Sequence, residues 1–297
     1  MKEIVVISGK GGTGKTSITA SFAMTGGNDV VAADCDVDAA DMHMLLQPDF
    51  GETHDFFSGE LAVIDPGKCT LCGICQDVCR FDAIEQNAET YYIKDVNCEG
   101  CAYCSRVCPD DAVDMIQQNV GNWYISNIKS GSKMVHARLG VGAENSGKLV
   151  AKVKNVARDI AKIKGNKYVL VDGSPGIGCP VISSLTGADF VVIITEPTVS
   201  GIHDLKRVNS LVKSFKIPCS TIINKKDINP ARTKEIEEYL RKEDITYLAG
   251  IPYDENFTRS MIMAKTIVEY DDGNLRSLIE DSWRKIDIIL SKNGEKK

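Results

Sequence analysis

Short apolar runs alternate along this chain with longer segments in which apolar residues recur every three or four positions. The runs are rich in β-branched residues and show little polar alternation, which is typical of strands buried on both faces of a parallel sheet. They occupy residues 2–8, 29–33, 167–172, 190–195, 218–224 and 246–251. The helical pattern occupies residues 149–160, 204–215, 232–241 and 274–290. This alternation predicts a doubly wound α/β fold with a mainly parallel sheet.

The middle of the chain breaks this alternation. Residues 61–118 are turn-rich and contain eight of the 11 cysteines. We therefore predict a core domain formed by residues 1–60 and 119–297, and an inserted domain at 61–118. A hairpin formed by residues 123–126 and 134–139 is expected to return the chain to the core.

Composition restricts the classes of protein to which this chain can belong. With 297 residues, of which 43% are hydrophobic, the chain can bury a large core. No apolar run approaches the roughly 20 residues that a membrane span requires, and Lys2 and Glu3 are not followed by the apolar region of a signal peptide. We expect a cytoplasmic protein in a reducing compartment, where closely spaced cysteines bind metal rather than form disulfides.

The net charge of −6 is concentrated in the cysteine-rich segment, which contains ten acidic and four basic residues between Asp65 and Asp114. An acidic module on a neutral core binds nucleic acid poorly, so no nucleic-acid partner is expected. Such a module is suited to dock a basic redox partner. The alternative is an acidic surface that only aids solubility.

A phosphate-binding motif follows the first predicted strand. Residues 9–16 read Gly-Lys-Gly-Gly-Thr-Gly-Lys-Thr and open a predicted helix, which is the context expected of a P-loop. The glycines let consecutive N–H groups point at phosphate oxygens, and the helix N-terminus favours negative charge. Lys15 is expected to bridge the terminal phosphates and the Thr16 hydroxyl to bind Mg²⁺, whereas a glycine-rich turn without a ligand is the alternative. The predicted nucleotide-binding residues of this segment are Gly9, Lys10, Gly11, Gly12, Thr13, Gly14, Lys15, Thr16 and Ser17.

The second lysine of this motif, Lys10, makes the loop resemble the deviant P-loop of the MinD/ParA/Mrp family of ATPases. The resemblance implies that Lys10 reaches the nucleotide of a facing subunit in an ATP-dependent homodimer. It also implies two switch segments, in which Asp36 orients the attacking water and Asp172 holds Mg²⁺ through water. For both carboxylates, an aspartate that caps a strand-to-loop turn is the alternative. The predicted catalytic residues are Lys10, Lys15, Asp36 and Asp172.

Other positions match this family less specifically. Asn224 ends an apolar strand where the family contacts the adenine base, and Pro252 and Asp254 lie in the neighbouring loop. Residues 142–148 match Gly-x4-Gly-Lys, but Leu149 stands where a magnesium-binding Ser or Thr is required, so no second nucleotide site is predicted. An anion contact and a plain helix cap are the two alternatives for that segment.

The eight cysteines of the inserted segment form two copies of Cys-x2-Cys-x2-Cys-x3-Cys, 29 residues apart. In this pattern three thiolates bind one iron-sulfur cluster and the fourth binds the cluster of the other copy. The pattern predicts two [4Fe-4S] clusters of the bacterial ferredoxin type. Zinc is the alternative, although this spacing is awkward for two tetrahedral sites. We assign cluster one to Cys69, Cys72, Cys75 and Cys108, and cluster two to Cys98, Cys101, Cys104 and Cys79.

Together the two motifs resemble MinD-superfamily ATPases with an inserted ferredoxin domain, over nearly the whole chain. The resemblance implies a deviant-P-loop NTPase core with a ferredoxin-like α+β insert, which binds ATP or ADP, Mg²⁺ and two [4Fe-4S] clusters. Our hypothesis is a slow or partner-stimulated ATPase that couples its nucleotide state to electron transfer or metal-cluster assembly with a partner protein. The alternatives are a non-hydrolysing electron carrier with a structural nucleotide site, and a Mrp-like iron-sulfur cluster carrier. The apolar stripe of the last helix is expected to pack on the core, so a membrane partner is not expected.

Overall fold

The computed structural model describes residues 1–140 and 146–294. In that part of the chain the fold is α/β, with one large and mainly parallel sheet, as the alternating pattern predicted. The strands are β1 (Lys2–Ser8), β2 (Val30–Asp34), β3 (Glu52–Ile64), β4 (Ile84–Gln86), β5 (Tyr91–Ile93), β6 (Val113–Asn127), β7 (Lys133–Leu139), β8 (Tyr168–Asp172), β9 (Phe190–Thr195), β10 (Cys219–Ile223) and β11 (Thr246–Gly250).

Nine strands form the large sheet in the order β11-β10-β9-β1-β8-β2-β7-β6-β3. Strand β1 lies between β8 and β9 and pairs with both in parallel. Strand β2 pairs in parallel with β7 and β8, and β10 with β9 and β11. The carboxyl ends of these strands therefore meet at one edge of the sheet, which is where ligands bind in open parallel sheets.

The predicted helices are present, and several short ones join them. Helix α7 begins at Val199, earlier than its apolar pattern indicated, because the Thr198 side chain caps it by accepting a hydrogen bond from the Gly201 N–H at 3.0 Å. None of the helices in 1–140 and 146–294 is long and apolar enough to cross a bilayer. The helices are α1 (Lys15–Gly26), α2 (Met42–Leu46), α3 (Ile74–Asp77), α4 (Tyr103–Val107), α5 (Ser146–Lys164), α6 (Cys179–Leu185), α7 (Val199–Ser214), α8 (Pro230–Lys242), α9 (Asn256–Ile262), α10 (Ile267–Tyr270) and α11 (Asn274–Gly294).

The apolar stripe of α11 packs on the sheet, so the prediction for this helix is confirmed. Its Ile279, Trp283 and Ile286 join one buried cluster with Phe22 of α1. The Trp283 ring lies 5.6 Å from that of Phe22 and 5.5 Å from that of Tyr168, measured between centroids. Burial of these aromatic rings holds α1, and the loop that precedes it, on the sheet.

The chain divides into two compact units. The first comprises Met1–His54, Trp123–Arg138 and Ser146–Lys297, and the second Asp55–Asn122 and Leu139–Asn145. The second unit includes more residues than the insertion predicted at 61–118. Strands β3 and β6 are longer than any run that the pattern indicated, because their polar and exposed residues hide the alternation.

The second unit has an internal repeat in its backbone as well as in its sequence. Each copy contains left-handed residues at equivalent positions, with φ of 62° at both Leu71 and Gly100, and of 51° and 47° at Asp82 and Asp111. A left-handed backbone is unfavourable for side chains other than glycine, so its recurrence shows that both copies adopt one local fold. Strands β4 and β5 pair in the antiparallel direction within this unit.

A buried ion pair fixes α6, the helix that follows one of the predicted switch segments. Lys154 of α5 lies 2.8 Å from the Glu3 carboxylate and donates hydrogen bonds to the carbonyl oxygens of Ser183 at 3.1 Å and Thr186 at 3.0 Å. Burial lowers the pKa of Lys154, and the Glu3 carboxylate opposes this shift. The ammonium ion thus satisfies the last carbonyl groups of α6.

Replacing Lys154 by methionine is expected to lower the free energy of unfolding by about 3 kcal/mol, because Glu3 would remain buried with Arg158 as its remaining cationic partner. Chemical denaturation followed by circular dichroism measures this change. Lys162→Met, an exposed position on the same helix, is the matched control and is expected to be near neutral. Equal stability of the two variants would contradict the prediction.

Candidate functional site

The predicted P-loop connects β1 to α1, and two of its glycines are required by close approach. Gly14 is the N-cap of α1 and has a φ of 85°, and a Cβ atom there would lie 2.5 Å from the Asn224 side-chain nitrogen. A Cβ atom on Gly9 would lie 2.4 Å from the Cβ of Asp204. Side chains at either position would therefore displace the loop from the surrounding structure.

Lys15 is the cation that two carboxylates of this site contact. Its side chain is 6% exposed, and its ammonium nitrogen lies 2.9 Å from Asp172 Oδ1 and 3.4 Å from Asp36 Oδ2. Burial alone would favour the neutral amine, but the carboxylates of Asp172 and Asp36 outweigh it and raise the pKa of Lys15. The structure thus brings together three of the four predicted catalytic residues, Lys15, Asp36 and Asp172.

Asp172 ends β8 and organises the start of α1. Its Oδ2 accepts a hydrogen bond from the Thr16 hydroxyl at 2.7 Å, and its Oδ1 accepts one from the Thr19 hydroxyl at 2.9 Å. The carboxylate is fully buried. Thr19 is part of the site that the sequence analysis did not identify, and its position one helical turn after Lys15 is the signal that could have found it.

A second buried carboxylate, Asp34, lies beside Asp172. The two residues are Cα partners across the β2–β8 pair, and Asp34 accepts hydrogen bonds from the backbone N–H groups of Asp36 at 3.2 Å and Met42 at 3.3 Å. Burial, with the nearby charge of Asp172, raises the pKa of Asp34 well above its ordinary range. Burial also raises the pKa of Asp36, although Lys15 opposes the shift. Asp34 therefore fixes the segment that carries Asp36.

A cavity of about 440 Å³ opens above the loop. Its size is within the range of small-molecule sites. The Thr13 hydroxyl oxygen, buried nearby, has no hydrogen-bond partner among the described residues. The lining residues come from the loop and from both predicted switch segments: Ser8, Gly11, Gly12, Thr13, Gly14, Lys15, Thr16, Ser17, Asp36, Asp38, Ala39, Asp41, Ser174, Pro175 and Pro180.

Three of the predicted nucleotide contacts, Asn224, Pro252 and Asp254, are not among the residues that line this cavity. Asn224 donates a hydrogen bond from its side-chain nitrogen to the Thr13 carbonyl oxygen at 2.8 Å, so it braces the loop. The Ser17 hydroxyl contacts the Met261 sulfur of α9 at 3.7 Å. Pro252 and Asp254 lie in the turn between β11 and α9. The adenine-binding role of Asn224, Pro252 and Asp254 stays a prediction.

Lys10 is held within its own chain. Its ammonium nitrogen lies 2.5 Å from Glu196 Oε1 and donates hydrogen bonds to the hydroxyls of Thr198 and Ser200. Glu196 also binds Lys225 at 3.1 Å. Nothing in the positions of Glu196 and Lys225 along the chain relates them to the P-loop, so the sequence alone gives neither of them a role.

In the second unit, the structure gathers the eight repeated cysteines around two cavities. Apolar residues complete both walls, with Ile64, Tyr91 and Val113 in the first and Ile84 and Met115 in the second. Cys69, Cys72, Cys75 and Cys108 line the first cavity, and Cys79, Cys98, Cys101 and Cys104 line the second. In each group, three cysteines come from one copy of the motif and one from the other.

Among the described residues, no three His, Cys, Asp or Glu side chains are arranged to hold a single metal ion. A four-iron cluster does not require such an arrangement, because each of its four thiolates binds a different iron atom. One sulfur already accepts a hydrogen bond, from the Ala112 N–H to Cys108 Sγ at 3.3 Å. Four thiols around one apolar cavity are a donor set that fits a [4Fe-4S] cluster.

The other three cysteines lie apart from these cavities. Cys35 is buried directly after β2, Cys219 begins β10, and Cys179 is exposed at the start of α6. Burial raises the pKa of the Cys35 and Cys219 thiols. Most of the Gly-x4-Gly-Lys segment at 142–148, with its two alternatives of an anion contact and a helix cap, lies outside the described residues.

Known proteins resemble this chain in sequence and in fold. The family described as "CobQ/CobB/MinD/ParA nucleotide binding domain" matches residues 4–267. Uncharacterized protein MJ0578 of Methanocaldococcus jannaschii is 35% identical over 76% of this chain and 79% of its own length. Uncharacterized protein MJ0579 of the same organism is 26% identical over 95% of this chain and 96% of its own.

Two solved structures show the same fold at low sequence identity. The septum site-determining protein MinD from Pyrococcus horikoshii, complexed with Mg-ADP, is 18% identical, has a TM-score of 0.60 and is matched over 97% of both chains. The Cyanothece McdA(D38A)–ATP complex is 15% identical and has a TM-score of 0.56, with 98% of this chain and 96% of McdA covered.

Proposed function

Because this chain belongs to the CobQ/CobB/MinD/ParA family of nucleotide-binding domains, we propose that it is a dimeric switch protein that binds and hydrolyses ATP and carries two [4Fe-4S] clusters. Its nucleotide state is coupled to electron transfer or metal-cluster assembly with a partner protein. The proposal rests on one observation: the chain contains both a buried P-loop lysine beside a cavity and two further cavities that are each lined by four cysteines.

The P-loop residues support binding of ATP or ADP with Mg²⁺. Lys15 supplies a positive charge at the floor of the cavity, and the buried Thr13 hydroxyl offers a further polar contact. Thr16 and Asp172, already hydrogen-bonded to each other, are the residues that would hold Mg²⁺. Bound Mg²⁺ supplies charge neutralisation for the phosphates. The structural neighbours bind Mg-ADP in one case and ATP in another.

Hydrolysis requires an aligned water and stabilisation of charge, and little covalent chemistry from the protein. Asp36 lines the cavity, its N–H donates a hydrogen bond to Asp34, and its carboxylate lies 3.4 Å from the Lys15 nitrogen. We assign to Asp36 the orientation of the attacking water and to Lys15 the stabilisation of charge on the phosphates.

Replacing Asp36 by asparagine is expected to reduce ATP turnover by about 10²-fold or more while ATP binding is retained. A group that positions the attacking water, or accepts a proton from it, typically contributes at least this factor to the rate. Phosphate release and calorimetric binding of Mg-ATP measure the two effects. Asp159→Asn, at an exposed position on α5, is the matched control. Unchanged turnover in Asp36→Asn would contradict the assignment.

The test of coupling uses anaerobically purified protein in oxidised and reduced forms. A coupled switch is expected to show different turnover or different ATP affinity in the two forms, because a ligand shifts an equilibrium only through unequal affinity for its two states. Equal turnover rates and equal ATP affinities in the oxidised and reduced forms would contradict the proposed coupling. Undetectable hydrolysis with intact clusters would instead favour the non-hydrolysing electron carrier. Transfer of a labile extra cluster to an apo-protein would favour the Mrp-like carrier.

A further inference from the structure

The two cysteine cavities have different rims, although the repeat makes their positions equivalent. The offset of 29 residues relates Thr70 of the first cavity to Glu99 of the second, and Asp110 of the first to Phe81 of the second. At the first cavity the Thr70 hydroxyl donates a hydrogen bond to the Asp110 carboxylate at 2.5 Å. A phenyl ring has no carboxylate to accept such a bond. The second rim therefore has an aromatic ring where the first has a polar bridge.

Apolar side chains are exposed together at the second cavity. Phe81 and Tyr103 both line it and are 43% and 53% exposed. Val96 is 99% exposed, and its neighbour Asn97 donates a side-chain hydrogen bond to the Asp82 carbonyl oxygen at 3.3 Å, which places Val96 near the residue that follows Phe81. Single exposed apolar residues are ordinary, but a group of them beside a cavity marks an interaction site. Phe81, Val96 and Tyr103 are called the apolar patch.

The surroundings of the apolar patch are acidic. Residues 81–103, which contain the whole patch, include five acidic residues and one basic residue. The basic residue, Lys94, is paired with Glu85 of the same stretch. Arg80 and Arg106 flank the stretch, but together with Lys94 they are still fewer than the acids. A protein surface with an excess of basic residues is therefore the electrostatic complement of this region.

We propose that the apolar patch is the docking surface for a one-electron redox protein whose contact site is apolar and surrounded by basic residues, and that cluster two is the cluster that exchanges electrons with it. The proposal rests on the proposed function, since it requires the clusters. An apolar centre with a charged rim is the usual anatomy of a protein interface. When the partner is the acceptor, cluster two loses one electron and the metal centre of the partner gains it, and no bond or proton is transferred.

The first test measures binding of ferricytochrome c, a lysine-rich protein with an exposed haem edge. Calorimetry at low ionic strength uses the oxidised chain with both clusters, so that no electron passes during the measurement. Phe81→Ser is expected to weaken binding roughly tenfold, because truncation of a central aromatic contact typically has an effect of this order. Ile116→Ser is the matched control. Ile116 is 48% exposed and follows the cavity-lining Met115 on β6, so it lies on the opposite face of the strand.

Two further variants test the charge and protect against misfolding. Glu99→Lys is expected to weaken binding several-fold and to make it less dependent on salt. Glu89→Lys changes an exposed acid that lines neither cavity and is expected to bind close to the wild type. Tyr103→Ser replaces Phe81→Ser should the latter lose its clusters. Iron content and EPR of the reduced protein establish that each variant retains both clusters.

Variants with a single cluster test which cluster exchanges electrons. Cys108→Ser is expected to retain cluster two, and Cys98→Ser to retain cluster one. Each is reduced with dithionite, freed of the excess and mixed with ferricytochrome c. Phe81→Ser is expected to slow haem reduction roughly tenfold in the Cys108→Ser background and to change it little in the Cys98→Ser background. This comparison within each background does not depend on a difference in potential between the clusters.

Several results would overturn the docking surface. They are unchanged binding by Phe81→Ser and Tyr103→Ser, an equal loss in Ile116→Ser, and no binding of ferricytochrome c by a wild-type chain with both clusters. Slowing by Phe81→Ser only in the Cys98→Ser background would exclude cluster two. Loss of a wild-type oligomer in Phe81→Ser with unchanged binding would show that a second copy of the chain covers the patch.

The proposed function can fail separately. In each of these cases a wild-type chain that contains iron and sulfide and hydrolyses ATP would leave the proposed function standing. A wild-type chain without iron and sulfide would instead overturn the proposed function and the docking surface with it.

Discussion

Lys15→Met is expected to abolish measurable Mg-ATP binding and to lower turnover by on the order of 10³-fold, because it removes the buried charge that faces both the phosphates and two carboxylates. In the wild-type chain the Lys15 nitrogen lies 2.9 Å from Asp172 and 3.4 Å from Asp36. Without the lysine these carboxylates would repel phosphate at close range and in a partly buried site. Calorimetry with Mg-ATP and steady-state phosphate release measure the loss.

The control for this variant is Lys234→Met, which removes an exposed lysine from α8. It is expected to leave binding and turnover unchanged. Thermal unfolding distinguishes loss of function from loss of structure, since Lys15→Met also leaves the buried Asp172 carboxylate without its lysine. A folded Lys15→Met protein that still hydrolyses ATP would contradict the assignment of the P-loop as the catalytic site.

The second large effect concerns the cysteines. Anaerobically purified wild-type chain is expected to contain about eight iron atoms, and Cys108→Ser about four, because loss of one thiolate removes one of two four-iron clusters. Cys219→Ser is the matched control, since Cys219 begins β10 and lines neither cavity. Iron and sulfide analysis together with EPR of the reduced protein measures the difference.

Double variants test how the cysteines are shared between the clusters. Cys69→Ser combined with Cys108→Ser is expected to retain about four irons, because both side chains line the same cavity. Cys79→Ser combined with Cys108→Ser is expected to lose nearly all iron, because these two line different cavities. Loss of nearly all iron from the Cys69→Ser/Cys108→Ser variant as well would mean that each cluster is bound by one copy of the motif alone. Wild-type chain that contains zinc in place of iron and sulfide would exclude the clusters.

Much of the fold was predictable because fully buried parallel strands carry a strong local signal. The runs that became β1 and β9 were predicted with the limits that they have, and the runs that became β2, β8, β10 and β11 were predicted to within a residue at each end. Strands β3 and β6 were not predicted in full, because few of their side chains are buried and their polarity is mixed. Their pairing in the sheet, and not their sequence, maintains them as strands.

The candidate site divides in a similar way. Lys15, Thr16 and the P-loop glycines were predicted because their spacing along the chain is itself the motif. Asp34 and Glu196 belong to the same surroundings but could not be assigned, because their partners are distant in sequence. Glu196 is more than 180 residues from Lys10, and only the parallel arrangement of β1 and β9 places the two together.

By itself the sequence determined that this chain has a doubly wound core with a P-loop and a duplicated cysteine pattern, because each of these features is local and repeats at short spacing. Only the tertiary structure shows that the Lys15 ammonium group contacts both Asp172 and Asp36, and that Lys10 forms an ion pair with Glu196 of the same chain. It also decided which cysteines surround which cavity. Electrostatic contacts and cavities depend on distance and burial in space, and those follow from how the strands are ordered in the sheet and not from their order along the chain.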